Sequence, residues 1–197
     1  MNYLAHAFLS FHQPELLTGN MISDFVKGKK KLMFSPGIQK GIELHRAIDT
    51  FTDQHPVTAS AKSGFKPVYG LYAGAFIDIV YDHFLAKDPD RFPTENNLQA
   101  FAEETYTFLQ PFEPVFPEKF RRMFPYMRSQ NWLFHYRFPE GIRNSFHGLV
   151  RRAAYMHDAA PAFEIFTNRY EELKMAYENF FPDLFAFTKE KSWSLLK

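Results

Sequence analysis

Gly41-Ile-Glu-Leu-His45-Arg-Ala-Ile-Asp49-Thr-Phe-Thr-Asp53-Gln-His55-Pro56 is the stretch on which the reading of this chain turns. At about 100° per residue, Ile38, Ile42, Ile48 and Phe51 form an apolar arc, which predicts a helix with one face in a core. His45 and Asp49 lie about 40° apart on that projection, inside the arc that holds Ile38 and Ile42 and not on the wet face. A buried carboxylate without a partner is costly, so a hydrogen-bonded cation or a metal ion is expected beside it. Asp53 continues the row one turn on, and Pro56 ends the helix.

On the N-terminal side, residues 2–12 predict a short apolar helix whose one ionisable interior residue is His6. It serves equally well as a core histidine or as a ligand. Pro14 breaks the pattern, and Glu15 to Val26 predicts a second helix with Asn20 and Asp24 four apart near the face of Leu16 and Leu17. Lys27-Gly-Lys29-Lys30-Lys31 follows, either a solvated basic helix end or an anion contact beside Asp24. Pro36-Gly37 opens the central stretch. Beyond it, a helix is expected over Val57 to Pro67, and another over Gly70 to Ala86 that is apolar around nearly its whole circumference. Apart from two tyrosine hydroxyls, that second helix has only Asp78, Asp82 and His83 as ionisable groups. Two carboxylates one turn apart there repel each other and are both desolvated, and a shared cation resolves both costs. A surface loop over 87–97 and helices over Leu98–Leu109, Phe120–Trp132, Phe138–Met156, 162–180 and 182–195 complete the expectation. No stretch alternates as a strand does.

Composition bounds the rest. A chain of 197 residues with 46% apolar residues supports one sizeable core, and its 24 Phe make that core rich in rings. A net charge of +1 does not single out nucleic acid as a partner. With no cysteine, any metal must be held by histidine and carboxylate. The longest apolar run, Leu71 to Tyr81, is interrupted by Asp78 and too short for a bilayer, and the N-terminus lacks the basic start of a signal peptide. A cytoplasmic protein without membrane or nucleic-acid partners is expected, its oligomeric state open.

His6, Asn20, Asp24, His45, Asp49, Asp53, Asp78, Asp82 and His83 fall mostly on core-facing helix surfaces. Imidazole and carboxylate ligands at i,i+4 spacing suit a divalent metal, and the carboxylate excess tilts the choice towards Mn²⁺, with Mg²⁺ or Fe²⁺ as alternatives over Zn²⁺. Such a site polarises a phosphoryl oxygen and lowers the pKa of bound water. No phosphate loop, dinucleotide fingerprint or nucleophile elbow suggests another chemistry.

Asn2-Tyr-Leu-Ala-His6, Gly19-Asn-Met-Ile-Ser-Asp-Phe-Val-Lys-Gly28, His45-Arg-Ala-Ile-Asp49-x-x-Thr-Asp53, Asp78-x-x-x-Asp82-His-Phe-Leu85 and Ser129-Gln-Asn-Trp-Leu-x-x-Tyr136 together resemble the acyl-carrier-protein phosphodiesterases. These are also called holo-ACP hydrolases and are distant relatives of the HD-domain phosphohydrolases. The resemblance runs in order through most of the chain. It implies an all-α, HD-phosphohydrolase-like single domain over residues 1–197, with a metal site between core helices. The implied activity is Mn²⁺-dependent hydrolysis of the phosphodiester joining 4′-phosphopantetheine to the serine of holo-acyl carrier protein. Where HD enzymes carry adjacent His-Asp, this chain has Asp82-His83.

The expectation is therefore a phosphodiesterase in which Asp24, His45, Asp49, Asp78 and Asp82 hold the metal or position its water. Asp24, His6 and His83 are the candidate acid–base groups. Asn20, Lys27, Arg46, Arg121 and Arg122 are the candidate contacts to the substrate or to an acidic carrier protein. Lys29 to Lys31, Arg128, Arg143, Arg151 and Arg152 add to a basic face, although each of these cations alone also suits a solvated surface. Two other readings stand beside it: an HD-like phosphohydrolase acting on a nucleotide or another small phosphodiester, and a non-catalytic helical binding module whose polar core fixes helix register.

Overall fold

The computed structural model describes residues 1–153 and 155–197. Among these residues there is no strand, and there are four short 3₁₀ helices and twelve α-helices. In order they are α1 (Tyr3–Phe8), α2 (Pro14–Ile22), α3 (Pro36–Gln54), α4 (Pro56–Lys62), α5 (Lys66–Tyr69), α6 (Ala73–Lys87), α7 (Glu95–Leu109), α8 (Glu118–Ser129), α9 (Trp132–His135), α10 (Pro139–Arg152), α11 (Ala160–Asn168) and α12 (Tyr170–Leu196). One hydrophobic core joins residues from α1 to α12. No described helix is long and apolar enough to cross a membrane.

The central stretch forms α3, as its periodicity predicts. Ser35 caps it by accepting from the Ile38 amide at 3.5 Å, Pro36 occupies its first turn, and Pro56 both stops it and opens α4. Ile38, Ile42, Leu44, His45 and Ile48 are buried along one side. Against that side lies α2, at a distance only glycine permits. A Cβ on Gly19 would sit 2.0 Å from the Ile38 carbonyl oxygen, and one on Gly41 would sit 2.2 Å from that of Leu16. Both clashes are with backbone, which cannot swing aside, so the two glycines set the crossing.

Several helix ends differ from the sequence expectation, each for a local reason. The first helix stops at Phe8, and Phe11 and His12 turn the chain with φ of 50° and 56°. The second ends at Ile22, so Asp24 stands on a separate 3₁₀ turn, Ser23–Phe25. The segment expected over Val57–Pro67 breaks after Lys62 and resumes at Lys66. The helix α7 begins three residues before Leu98 because Thr94 and Asn97 form a reciprocal capping box. The segment expected over Phe120–Trp132 is split by Asn131 in the left-handed conformation, φ 43°. Near the C-terminus the interruption falls at Arg169, and α12 runs unbroken through Pro182. There Phe180, Phe181 and Leu184 bury around the proline, so tertiary packing outweighs one lost backbone hydrogen bond.

The helix α6 is buried along most of its length, as its all-round apolarity predicts. Its Asp82 has no exposed surface and spends both carboxylate oxygens on α1. Oδ2 accepts from the Leu4 amide at 2.7 Å, and Oδ1 accepts from the Ala5 and Asn2 amides at 3.2 and 3.3 Å. The sequence reading offered Asp82 to a metal; in the structure its oxygens accept from the free amides that start α1. Complete burial pushes its carboxyl up to about 7, against the pull of the Met1 ammonium and these three amides. Replacement by Ala removes every acceptor at once. Asp82→Ala is expected to lose about 3 kcal/mol, or roughly 10 °C in melting temperature, with Asp82→Asn intermediate. Thermal and urea unfolding read this directly, and an unchanged midpoint in Asp82→Ala would remove the capping role.

Candidate metal centre

Four elements converge above the α2–α3 crossing. From α1 comes His6, from α2 Asn20, from the following 3₁₀ turn Asp24, and from α3 His45 and Asp49. The imidazoles of His6 and His45 stack with centroids 3.9 Å apart and planes 13° from parallel. Both are buried. Their Nδ1 atoms end on one residue: His6 Nδ1 donates to Asn20 Oδ1 at 2.8 Å, and His45 Nδ1 donates to the Asn20 backbone carbonyl at 2.7 Å. The Asn20 side chain is oriented in turn, because its Nδ2 donates to the His6 carbonyl at 2.9 Å and to Ser10 Oγ at 3.0 Å. With both Nδ1 positions occupied by protons, the two Nε2 atoms are left to face the carboxylates.

They face them closely. His6 Nε2 lies 3.3 Å from Asp49 Oδ1, and His45 Nε2 lies 3.0 Å from Asp49 Oδ2 and 3.1 Å from Asp24 Oδ1. His6 Nε2 also lies 3.1 Å from the Met1 carbonyl oxygen, so acceptors surround it. Neutral imidazoles in this tautomer would set lone pairs against carboxylate oxygens, an arrangement that only a cation makes favourable. A proton on His45 can supply that charge. Burial works against it, but the hydrogen bonds to Asp24 and Asp49 outweigh burial and lift the imidazole to about 9. Burial, and then the positive neighbour His45, push His6 down to about 4. Asp49 stays well below the usual carboxylate range: His45, His6 and the Met1 ammonium overcome its burial. The bond to His45 chiefly holds Asp24 down.

One ligand atom from each of His6, His45 and Asp49 lies within 4.8 Å of the other two, so these three can hold one divalent ion. The donor set suits the group: two imidazoles already oriented by a common outer partner, and a carboxylate. Asp24, 66% exposed at its side chain, stands at the solvent rim beside His45. Three inner donors with an open side are the arrangement of a catalytic and not a closed structural site.

The structure brings together five of the residues singled out in the sequence and disperses the others. Asp78 reaches the edge of the cluster, where its Oδ1 lies 3.0 Å from the Met1 α-amino nitrogen, itself 3.4 Å from Asp49. The sequence reading expects a cation shared by Asp78 and Asp82; the ammonium pairs with Asp78 and Asp49, and although burial opposes its charge they raise it to about 10. Asp53 is exposed and pairs with Lys62 at 2.6 Å. His83 lies away from the centre, donating from Nδ1 to the Tyr136 carbonyl at 2.7 Å among Phe84, Phe166 and Tyr170. Asn20, expected at the substrate, is wholly buried and orients both histidines. Arg46 braces the Asp24 turn by donating to the Val26 carbonyl at 3.1 Å. Arg121 and Arg122 are exposed on α8 and both pair with Glu118. Lys27 is exposed just beyond Asp24.

A family profile described as acyl carrier protein phosphodiesterase matches residues 1–184. The chain belongs to that family. Among its relatives, an acyl carrier protein phosphodiesterase of Photorhabdus laumondii is 29% identical over 196 residues, covering 100% of this chain and 99% of the relative. That of Yersinia enterocolitica is 29% identical over 191 residues, 97% and 99% of the two chains, and that of Salmonella paratyphi A 29% over 192 residues, 98% and 100%. No solved structure matches. Family membership identifies a phosphodiesterase scaffold, and the cluster above α2 and α3 is where its chain concentrates ligating groups.

Two outcomes follow from the geometry. Asn20→Ala removes the side-chain acceptor that fixes His6 while leaving all metal-facing atoms in the chain. Its Mn²⁺ affinity, measured by calorimetry, is expected to fall roughly 10–100-fold with helicity retained; wild-type affinity would show that packing alone orients the ring. The second concerns His83. Burial lowers it from 6.5 to about 4 in the folded protein, partly opposed by its bond to Tyr136. The unfolded chain therefore takes up this proton first as pH falls, and stability that is full above pH 6.5 is lost towards pH 4, by about 3 kcal/mol for this group. His83→Asn keeps a donor for the Tyr136 carbonyl but does not titrate, so its urea midpoint should vary less than wild type between those pH values. Parallel profiles would rule the group out as an acid sensor.

Proposed function

We propose that the protein is a divalent-metal-dependent phosphodiesterase that releases 4′-phosphopantetheine from holo-acyl carrier protein, leaving the apo form. One observation carries this reading: a half-open His6–His45–Asp49 cluster with the exposed, ionised Asp24 at its rim, in a chain of the acyl carrier protein phosphodiesterase family. A divalent ion held by His6, His45 and Asp49, for which Mn²⁺ is the first choice, supplies Lewis acidity to the phosphoryl oxygens. Asp24 is the group within reach of both solvent and the cluster. It orients the attacking water and accepts its proton as oxygen bonds to phosphorus and the bond to the serine oxygen breaks. The serine leaves as the hydroxyl, taking up the proton that Asp24 accepted, so one water is consumed and no other reactant is needed.

Charge supports a carrier protein as the partner. Such proteins are acidic, and Lys27, Lys29 and Lys30 are exposed directly after the Asp24 turn, with no carboxylate at ion-pair distance among the described residues. Arg121 and Arg122 have part of their charge taken by Glu118, so the lysine segment is the stronger docking candidate. Localisation to the cytoplasm agrees with a carrier-protein substrate.

The test is mass spectrometry of holo-carrier protein incubated with enzyme and Mn²⁺. Conversion to the apo form is expected, and chelator should abolish it. Asp24→Asn keeps the size of the side chain and removes its charge. It should lower kcat by roughly 10²–10⁴-fold with melting unchanged. Turnover within about threefold of wild type would take Asp24 out of the mechanism, being well short of that loss.

A further inference from the structure

Beside the metal centre lies a cavity of about 820 Å³ that the chemistry above does not use. One wall is made by Asn2, Tyr3 and Ile79, the other by the face of α10 that carries Asn144, Gly148, Arg151 and Arg152. The first wall is the outer surface of the metal centre. Asn2 gives its amide to Asp82, and the neighbouring Met1 carbonyl faces His6 Nε2. Tyr3 stands in α1 three residues before His6, and burial raises its phenol to about 12 while the cavity's Arg152 lowers it.

The cavity is cationic where Arg151 and Arg152 line it. Among the described residues no carboxylate lies at ion-pair distance from Arg151 or Arg152, and the one acid in the wall, Glu140, faces Arg143 at 3.7 Å. Further along, Trp132 and Tyr136 offer ring surface, while Gln130 and Asn144 offer amide donors and acceptors. A site of this size with cations at one end and mixed aromatic and amide groups beyond suits an elongated ligand with an anionic head and an amide-bearing, uncharged tail.

We infer that this cavity binds the pantetheine arm of the substrate, with Arg152 orienting the phosphate towards Asp24 and the arm lying along α10. The inference rests on the proposed function for the identity of the arm. Arg152 is on this view a specificity-determining contact, and the length of the cavity selects a phosphodiester that bears a long substituent.

Gly148 allows a clean test. It lies inside a helix, lines the cavity, and a Cβ placed on it would meet no atom within 4 Å. Gly148→Trp therefore fills the cavity without displacing backbone, and the helix gains by the loss of a glycine. Wild type, Gly148→Trp and Arg152→Gln are titrated calorimetrically with free 4′-phosphopantetheine and with pantetheine, and assayed on holo-carrier protein. Melting temperature and Mn²⁺ stoichiometry serve as controls of folding. The expected result is that Gly148→Trp weakens both ligands and raises KM for holo-carrier protein by about tenfold or more, whereas Arg152→Gln weakens only the phosphorylated ligand. Wild-type affinities and KM in Gly148→Trp would overturn the cavity assignment and leave the phosphodiesterase reading standing. Equal weakening of both ligands in Arg152→Gln would overturn the phosphate contact. If wild type releases nothing from holo-carrier protein yet the variants lose 4′-phosphopantetheine as expected, the function is wrong and the cavity assignment holds.

Discussion

Asn20 is the residue on which the centre depends, because one asparagine holds two imidazoles through two different groups. Its side-chain oxygen takes the Nδ1 proton of His6, and its backbone carbonyl takes that of His45. A backbone carbonyl within a helix is normally engaged or shielded. It is free here because Asn20 lies in the last turn of α2, which ends at Ile22, and His45 reaches it where α2 and α3 touch closely at Gly19 and Gly41. The close crossing, the tautomer of both histidines and the direction of both Nε2 lone pairs are thus one constraint. The two rings stack at 3.9 Å because both are drawn to the same anchor.

Around that anchor, four carboxylates carry different tasks according to what reaches them. Asp49 lies between the two imidazoles and the Met1 ammonium and keeps its charge despite burial. Asp24 shares His45 but remains open to water. Asp78 is tied to the ammonium, and Asp82, fully buried, is satisfied by backbone amides alone. Residue type does not separate these roles; solvent access and the nearest donor do. An acid left at the rim beside oriented ligands can move a proton, whereas one that caps a helix cannot leave its amides without a stability cost.

The periodicity of the chain determined a good deal by itself. Apolar residues at helical spacing, with Pro36 and Pro56 at the two ends, specify α3 and place His45 and Asp49 on its inner side, since a 3.6-residue repeat leaves no other face for them. The same logic marks α6 as buried, and the absence of alternating β-branched residues excludes a sheet. The ordered set of motifs pointed to the family that the profile match over residues 1–184 establishes. Short local signals were harder to weigh: Asn131 in a left-handed turn and the Thr94–Asn97 box move helix ends by a few residues without altering the core.

Only the tertiary structure decided which of the inward-facing polar residues meet. Spacing within a helix says that two side chains share a face, but it cannot say which amide, ammonium or imidazole from another helix lies opposite. Asp82 and His83 are adjacent in sequence, yet about 100° of helical rotation sends one to the start of α1 and the other under α11 and α12. Asn20 lies 14 positions from His6 and 25 from His45, and it orients both rings across helix boundaries. The reason is physical: burial and hydrogen-bond partners, which set charge and orientation, arise when helices pack, and no single helix contains them.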